Sequence, residues 1–211
     1  MIKVILADDH KVVRKGIWQL LSSSPDIEVT GECSNGMELL NLLKKEYADV
    51  IILDISMPDM DGLDSLKEIK RLYPELPVLI FTMHAEDQYA LRVLKAGASG
   101  YLCKDQDPEL LMEAIRKLSK GGMYITGKAA EILASAVQKG SSDQAHENLS
   151  DREFQVMCHI AAGKNLGEIA DALSLSVNTI STYRSRVLEK LNLNNNVDIS
   201  KYALRNNLLK M

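Results

Sequence analysis

Three aspartates, a threonine and a lysine punctuate the ends of short apolar runs in this chain. Asp8 and Asp9 follow Ile2-Lys3-Val4-Ile5-Leu6-Ala7, and Asp54 follows Val50-Ile51-Ile52-Leu53. Thr82 closes Val78-Leu79-Ile80-Phe81, and Lys104 follows Gly100-Tyr101-Leu102-Cys103. Carboxylates gathered in one place repel one another unless a cation sits among them. A hard divalent ion with oxygen ligands, Mg2+ above all, meets that need, and sites of this kind handle phosphate.

For these groups to converge, the runs must be neighbouring strands. Short apolar runs buried on both faces mark parallel strands, and helical patterns separate them here. Strands are expected near 2–7, 27–33, 50–54, 78–82 and 100–103, and helices near 10–22, 36–46, 63–72, 87–96 and 108–120. Ile17, Leu20 and Leu21 space one apolar helical face, as do Leu39, Leu40, Leu42 and Leu43. All five prolines fall at breaks or helix starts. The alternation predicts a doubly wound α/β sandwich with right-handed crossovers, whose ligands bind beyond the carboxyl ends of the strands.

The composition is that of a globular chain: 211 residues, 46% apolar and 26% charged. No apolar run approaches the roughly 20 residues of a membrane helix. Asp8 and Asp9 break the first run early, so no leader peptide and no membrane partner are expected. Cys33, Cys103 and Cys158 are widely spaced without a CxxC pair. They read as buried free thiols of a reducing compartment, which predicts a cytoplasmic protein. Charge is uneven, with net −5 over residues 1–121 and net +2 over 148–211. An acidic head and a mildly basic tail suggest different partners.

Gly121-Gly122 ends the fifth helical pattern, a short helix is expected over Lys128–Gln138, and the polar run Lys139–Asn148 reads as a linker. The expected division is 1–121, a linker at 122–147, and 148–211. Ser150-Asp151-Arg152-Glu153 is a capping box opening a helix that carries Phe154, Met157, Ile160 and Ala161. Further helices are expected over Leu166–Leu173, Val177–Leu191 and Val197–Asn206, the first two having helix-turn-helix lengths.

Residues 1 to about 120 resemble receiver domains of two-component response regulators, through ADDH (7–10), LDISMPDMDG (53–62), FTMH (81–84) and GYLCKD (100–105). Residues 149–191 resemble the LuxR-type helix-turn-helix, and together the two halves resemble the NarL/FixJ family. The resemblance implies a flavodoxin-like five-stranded parallel sheet of order 2-1-3-4-5, followed by a small all-α helix-turn-helix domain. It implies that Asp54 accepts a phosphoryl group from a sensor histidine kinase. Asp8, Asp9, Asp54 and the backbone carbonyl of Ser56 would hold Mg2+, Asp9 directly and Asp8 mainly through water. Lys104 would pair with the phosphoryl oxygens, Thr82 would donate its hydroxyl, and Tyr101 would swing into the space behind Thr82. His10 and His84 would shape access without ligating, while His146 and His159 carry no signal. Lys104 is followed by Asp105, where many receivers carry proline.

The resemblance further implies a regulator with no enzymatic turnover, forming a homodimer on activation and binding double-stranded promoter DNA, with RNA polymerase as a further partner. Asn178, Thr179, Ser181, Thr182, Tyr183, Arg184 and Arg186 are the candidate DNA contacts. Val177, Ile180, Val187, Leu188 and Leu191 are expected to pack inward. Asn178 and Ser181 stand where many members have lysine, Tyr183 where they have histidine, and Leu166-Gly167 replace the usual Asn-Lys. This variant resembles the subgroup typified by BvgA and EvgA. Fewer cations predict a shallow salt dependence and weak binding by one copy. The helix near Val197–Asn206 would join two such domains on half-sites about one helical turn apart. Two other readings share these residues: a regulator independent of phosphorylation, and an Mg2+-dependent phosphohydrolase. Ser56 speaks against the latter, because it stands two residues beyond Asp54 where a second acid would be needed.

Overall fold

The computed structural model describes residues 1–84, 86–138, 145–173, 175–206 and 208. They form two compact units, Met1–Ile132 and Leu133–Met211. Within the first, β1 (Ile2–Ala7), β2 (Ile27–Cys33), β3 (Val50–Leu53), β4 (Val78–Thr82) and β5 (Gly100–Cys103) form one parallel sheet. Its order is β2-β1-β3-β4-β5, as expected. The intervening helices are α1 (Lys11–Ser22), α2 (Gly36–Leu42), α3 (Gly62–Leu72), α4 (Glu86–Lys95) and α5 (Pro108–Leu118), followed by α6 (Gly127–Gln138).

All four residues of β3 and of β5 are buried, because helices cover both faces of the inner sheet. Val4, Leu6, Val50, Ile52, Leu79 and Leu102 share one core with Ile17 and Leu21 of α1 and Leu111, Ile115 and Leu118 of α5. Several edges differ from the sequence reading. The helix expected over 36–46 ends at Leu42, with Leu43 as its C-cap, the helix expected over 108–120 ends at Leu118, and the strand expected to reach residue 54 stops at Leu53. Strand pairing nevertheless continues one step past its formal end. The Asp54 N–H donates to the Ala7 carbonyl at 2.9 Å, the Lys104 N–H to Thr82 at 2.8 Å, and the Asp8 N–H to Cys33 at 3.1 Å. That shared register sets the polar residues side by side, with the β1–β3 crevice at the point where strand order reverses.

A short segment after α5 adds itself to the sheet edge. The Tyr101 N–H donates to the Tyr124 carbonyl at 3.0 Å, and the Tyr124 N–H donates to Ser99 at 3.0 Å. Gly100 makes this approach feasible, since a β-carbon there would lie 2.7 Å from the Tyr124 carbonyl oxygen. Thr126 then accepts from the Ala129 N–H at 3.2 Å in the first turn of α6 and donates its hydroxyl to Glu86 at 2.7 Å.

The second unit is helical. A 3-10 turn (Ala145–Asn148) precedes α7 (Asp151–Ala161), α8 (Leu166–Leu173), α9 (Val177–Leu191) and α10 (Asn196–Arg205). Residues 139–144 of the expected linker, and Ser174 in the turn before α9, lie outside the described residues. The α7 capping box is complete: the Glu153 N–H donates to Ser150 Oγ at 3.3 Å, and the Ser150 N–H donates to Glu153 Oε2 at 2.7 Å. Glu153 also accepts from Lys190 Nζ of α9 at 2.6 Å, so one buried carboxylate caps α7 and ties it to α9. Asn192, left-handed at φ 52°, stops α9, and Asn195 caps α10. His146 is a structural residue here: buried, 3.0 Å from the Tyr202 hydroxyl and beside the Phe154 ring.

Candidate phosphoryl-acceptor site and helix-turn-helix

At the carboxyl edge of the sheet, Lys104 Nζ donates to Asp8 Oδ2 and to Asp54 Oδ2, each at 2.6 Å. All three side chains are nearly inaccessible, at 6%, 1% and 4% exposure. Burial pushes the Asp54 carboxyl above the ordinary aspartate value; the Lys104 charge opposes this and the Asp8 charge adds to it. Burial pulls Lys104 down, but the two carboxylates it bridges carry it above its ordinary value. The ammonium is therefore firmly charged. Asp54 Oδ1 accepts from the Ile55 N–H at 2.7 Å, and the neighbouring Thr82 hydroxyl helps to hold the Asp54 carboxyl down.

Asp8 and Asp9 do not cap α1. The N-cap is His10, whose side chain makes no capping bond. Instead, Asp8 Oδ1 accepts from the His10 N–H at 2.7 Å, and His10 Nδ1 lies 2.6 Å from Asp9 Oδ1. Burial raises the Asp9 carboxyl, with His10 opposing and the Asp54 and Asp8 charges reinforcing. Ligand atoms of Asp8, Asp9, His10 and Asp54 lie within 4.8 Å of one another. Three carboxylates against one ammonium leave two negative charges, and the donor set is mainly hard oxygen. That chemistry fits a divalent cation such as Mg2+.

Tyr101 is fully buried, its hydroxyl donating to the His84 carbonyl at 2.7 Å, and burial holds the phenol far above its ordinary pKa. Ser56 Oγ lies 2.8 Å from His84 Nε2.

In the second unit, α9 turns Ile180, Val187 and Leu191 into the core, while Asn178, Ser181, Thr182 and Arg186 stand exposed on the opposite strip. Thr179 and Tyr183 flank this strip, half-buried. One expectation needs correction. Val177 does not pack inward but is 49% exposed, because it opens α9 immediately after the Ser176 cap. Arg184 lies on the flank toward α10, where its Nε donates to Asn196 Oδ1 at 2.6 Å.

Residues 4–116 match the response regulator receiver domain, and residues 147–203 match the bacterial regulatory proteins of the luxR family. The chain belongs to the two-component response regulators. It is 35% identical to the response regulator UvrY of Escherichia coli K12, across 99% of this chain and 96% of that one. It is 36% identical to the transcriptional regulatory protein LiaR of Bacillus subtilis, across 99% and 100%. Among solved structures it resembles RcsB from Salmonella enterica, bound to the promoter rprA with the phosphomimetic BeF3-. That match has a TM-score of 0.64 and 32% identity, and covers 95% of this chain and 97% of that one.

For a response regulator of this build, several supporting residues were not foreseen. Arg14 donates from its guanidinium to the Asp8 backbone carbonyl and lies 3.4 Å from Glu32, bracing β1 against β2. Asp61, fully buried, caps α3 by accepting from the Asp64 N–H at 2.8 Å. His10, expected only to shape access, places its ring nitrogen in the carboxylate cluster. The ADDH and MPDMDG strings hold His10 and Asp61, whereas nothing in the sequence singled out Arg14.

Proposed function

We propose that Asp54 accepts a phosphoryl group from a sensor histidine kinase in the cytoplasm, and that phosphorylation favours a homodimer that binds promoter DNA through α9. The observation that carries this reading is the bridge from Lys104 Nζ to both Asp8 and Asp54 at 2.6 Å, built from three separate strand ends. An Asp54 oxygen forms the new bond to phosphorus while the phosphorus–nitrogen bond of the phosphohistidine breaks and its electron pair leaves with the imidazole. Asp8, Asp9, Asp54 and the Ser56 carbonyl would hold Mg2+, which supplies charge neutralisation for the oxygens in transit. Lys104 would shift from the carboxylates to the transferred oxygens as a compact cation, and Thr82 would donate its hydroxyl to another. The new dianionic group shifts an existing conformational balance and needs only a few kcal/mol to do so.

Asn178, Thr179, Ser181, Thr182, Tyr183, Arg184 and Arg186 would face DNA, with Asn178, Ser181, Thr182 and Arg186 foremost and Arg184 first released from Asn196. RNA polymerase would be a further partner on the promoter. Support for a regulator rather than a hydrolase comes from the kinship with transcriptional regulators and from Ser56 in place of a second acid. Sedimentation with and without acetyl phosphate and Mg2+ tests the reading. The wild-type chain should dimerise in response, and Asp54→Ala should fold but stay unresponsive. An Asp54→Ala protein that still responds to the donor would refute it.

A further inference from the structure

His84 touches more of the first unit's working parts than any role given to it so far requires. Its imidazole Nε2 lies 2.8 Å from Ser56 Oγ, two residues past Asp54. The ring packs on Tyr89 of α4, with centroids 4.5 Å apart, and Tyr89 is itself buried. Its backbone N–H donates to Thr82 Oγ1 at 3.4 Å. Its backbone carbonyl accepts from the Tyr101 hydroxyl at 2.7 Å and from Cys103 Sγ at 3.4 Å. One residue thus joins the loop after β3, the end of β4, the start of α4 and the middle of β5.

We infer that His84 is a positioning residue: held by Ser56 on one side and Tyr89 on the other, its imidazole fixes the carbonyl that keeps Tyr101 inside. The reasoning is geometric. Tyr101's phenol is buried, so it stays in only where it finds an acceptor. That acceptor is a backbone oxygen on the segment between β4 and α4, not part of the sheet ladder. Beside the weak contacts to Thr82 and Cys103, the seated side chain of residue 84 fixes where this oxygen points. Ser56 moves with the loop that carries Asp54, and Tyr89 moves with α4. The imidazole therefore makes the phosphoryl-acceptor loop and α4 shift together, beside the Thr82 contact rather than through it. The inference rests on the proposed role of Asp54 for its signalling consequence, but the seating of Tyr101 stands apart from phosphorylation.

Two substitutions separate the contacts. His84→Phe keeps the ring against Tyr89 and deletes the bond to Ser56, whereas His84→Gln keeps an amide able to reach Ser56. In the unphosphorylated full-length protein, nitration by tetranitromethane followed by peptide mapping reports which tyrosines are reachable, with exposed Tyr47 as internal standard. Tyr101 should be protected in the wild type and in His84→Gln. In His84→Phe its nitration relative to Tyr47 should rise about tenfold, the population change expected from losing one net hydrogen bond. In a Ser56→Ala background, His84→Phe should make a smaller difference than in the wild type, because the two changes share the Ser56–His84 bond. Sedimentation with acetyl phosphate then reads the consequence: His84→Phe should take up phosphoryl yet gain about tenfold less dimer affinity than the wild type. Full protection of Tyr101 in His84→Phe would overturn the inference. So would a His84→Phe protein that takes up no phosphoryl, since His84 would then belong to the transfer site. A wild-type chain that takes up no phosphoryl but shows the expected nitration pattern would defeat the role of Asp54 while supporting the seating of Tyr101.

Discussion

Gly62 has no room for a side chain because of Asp54: a β-carbon at residue 62 would lie 1.9 Å from the Asp54 carbonyl oxygen and 2.8 Å from Ile55 Cα. The Gly62 N–H also donates to the Ile55 carbonyl at 2.9 Å, closing the loop that Asp59 enters at φ 61°. The loop is thus folded back against the residue that the account makes reactive. Both obstructing atoms are backbone and cannot swing aside.

Gly62→Ala should therefore destabilise the first unit by about 3 kcal/mol, the upper range for overpacking. Phosphoryl uptake should fall as well, because Asp54 is displaced. Thermal melting together with uptake from acetyl phosphate checks both. Unchanged melting and uptake would show that the loop yields easily.

Removing Lys104 tests the charge balance of the site. Lys104→Met leaves Asp8 and Asp54 buried without their cation, which should cost about 3–5 kcal/mol at neutral pH. Without the ammonium the Asp54 carboxyl rises further, so stability should return as pH falls through its raised value. Added Mg2+ should restore part of it at neutral pH, and chelator should remove that gain. Melting curves across pH and Mg2+ decide the matter.

Much of this arrangement was legible in the chain, for a physical reason. Strands buried on both faces must be apolar throughout, so Asp8, Asp54 and Lys104 show where they end. Helix starts were legible through Ser150-x-x-Glu153, because capping uses side chains at fixed offsets. Contacts between segments that carry no periodic pattern left no such mark. The pairing of Tyr124 with Gly100 is one bridge without alternation, and the side-chain bond between Ser56 and His84 joins residues that look like ordinary loop polar groups. Val177 misled because helical spacing says which face a residue takes, not whether a neighbouring helix reaches that far along.

Acid should weaken the second unit through Glu153. Burial raises its pKa, but the bonds from Lys190 and Ser150 outweigh this and hold it below the ordinary glutamate value. A depressed carboxyl stabilises the fold fully above its unfolded value and loses that contribution as pH falls through the folded one. Glu153→Gln should cost about 1 kcal/mol at neutral pH, discounted for the partly exposed Lys190, and should flatten the acid limb. Denaturant titrations of the helical signal at several pH values provide the check.

Few cations line the exposed strip of α9, where Asn178 and Ser181 stand beside Arg186. Arg186→Ala should reduce the slope of log affinity against log salt by about 1, and Ser181→Lys should steepen it by about 1. Binding of phosphorylated protein to duplex DNA over a range of salt concentrations measures both slopes. Slopes that neither substitution changes would remove α9 from the DNA contact.

The central claim is that Asp54 carries the phosphoryl group, and borohydride trapping tests it most directly, since it reduces an aspartyl phosphate to homoserine. After incubation with acetyl phosphate, peptide mapping should find homoserine at residue 54, dependent on Mg2+ and absent in Lys104→Met. Homoserine at a different aspartate, or at none while phosphoryl is still taken up, would contradict the account.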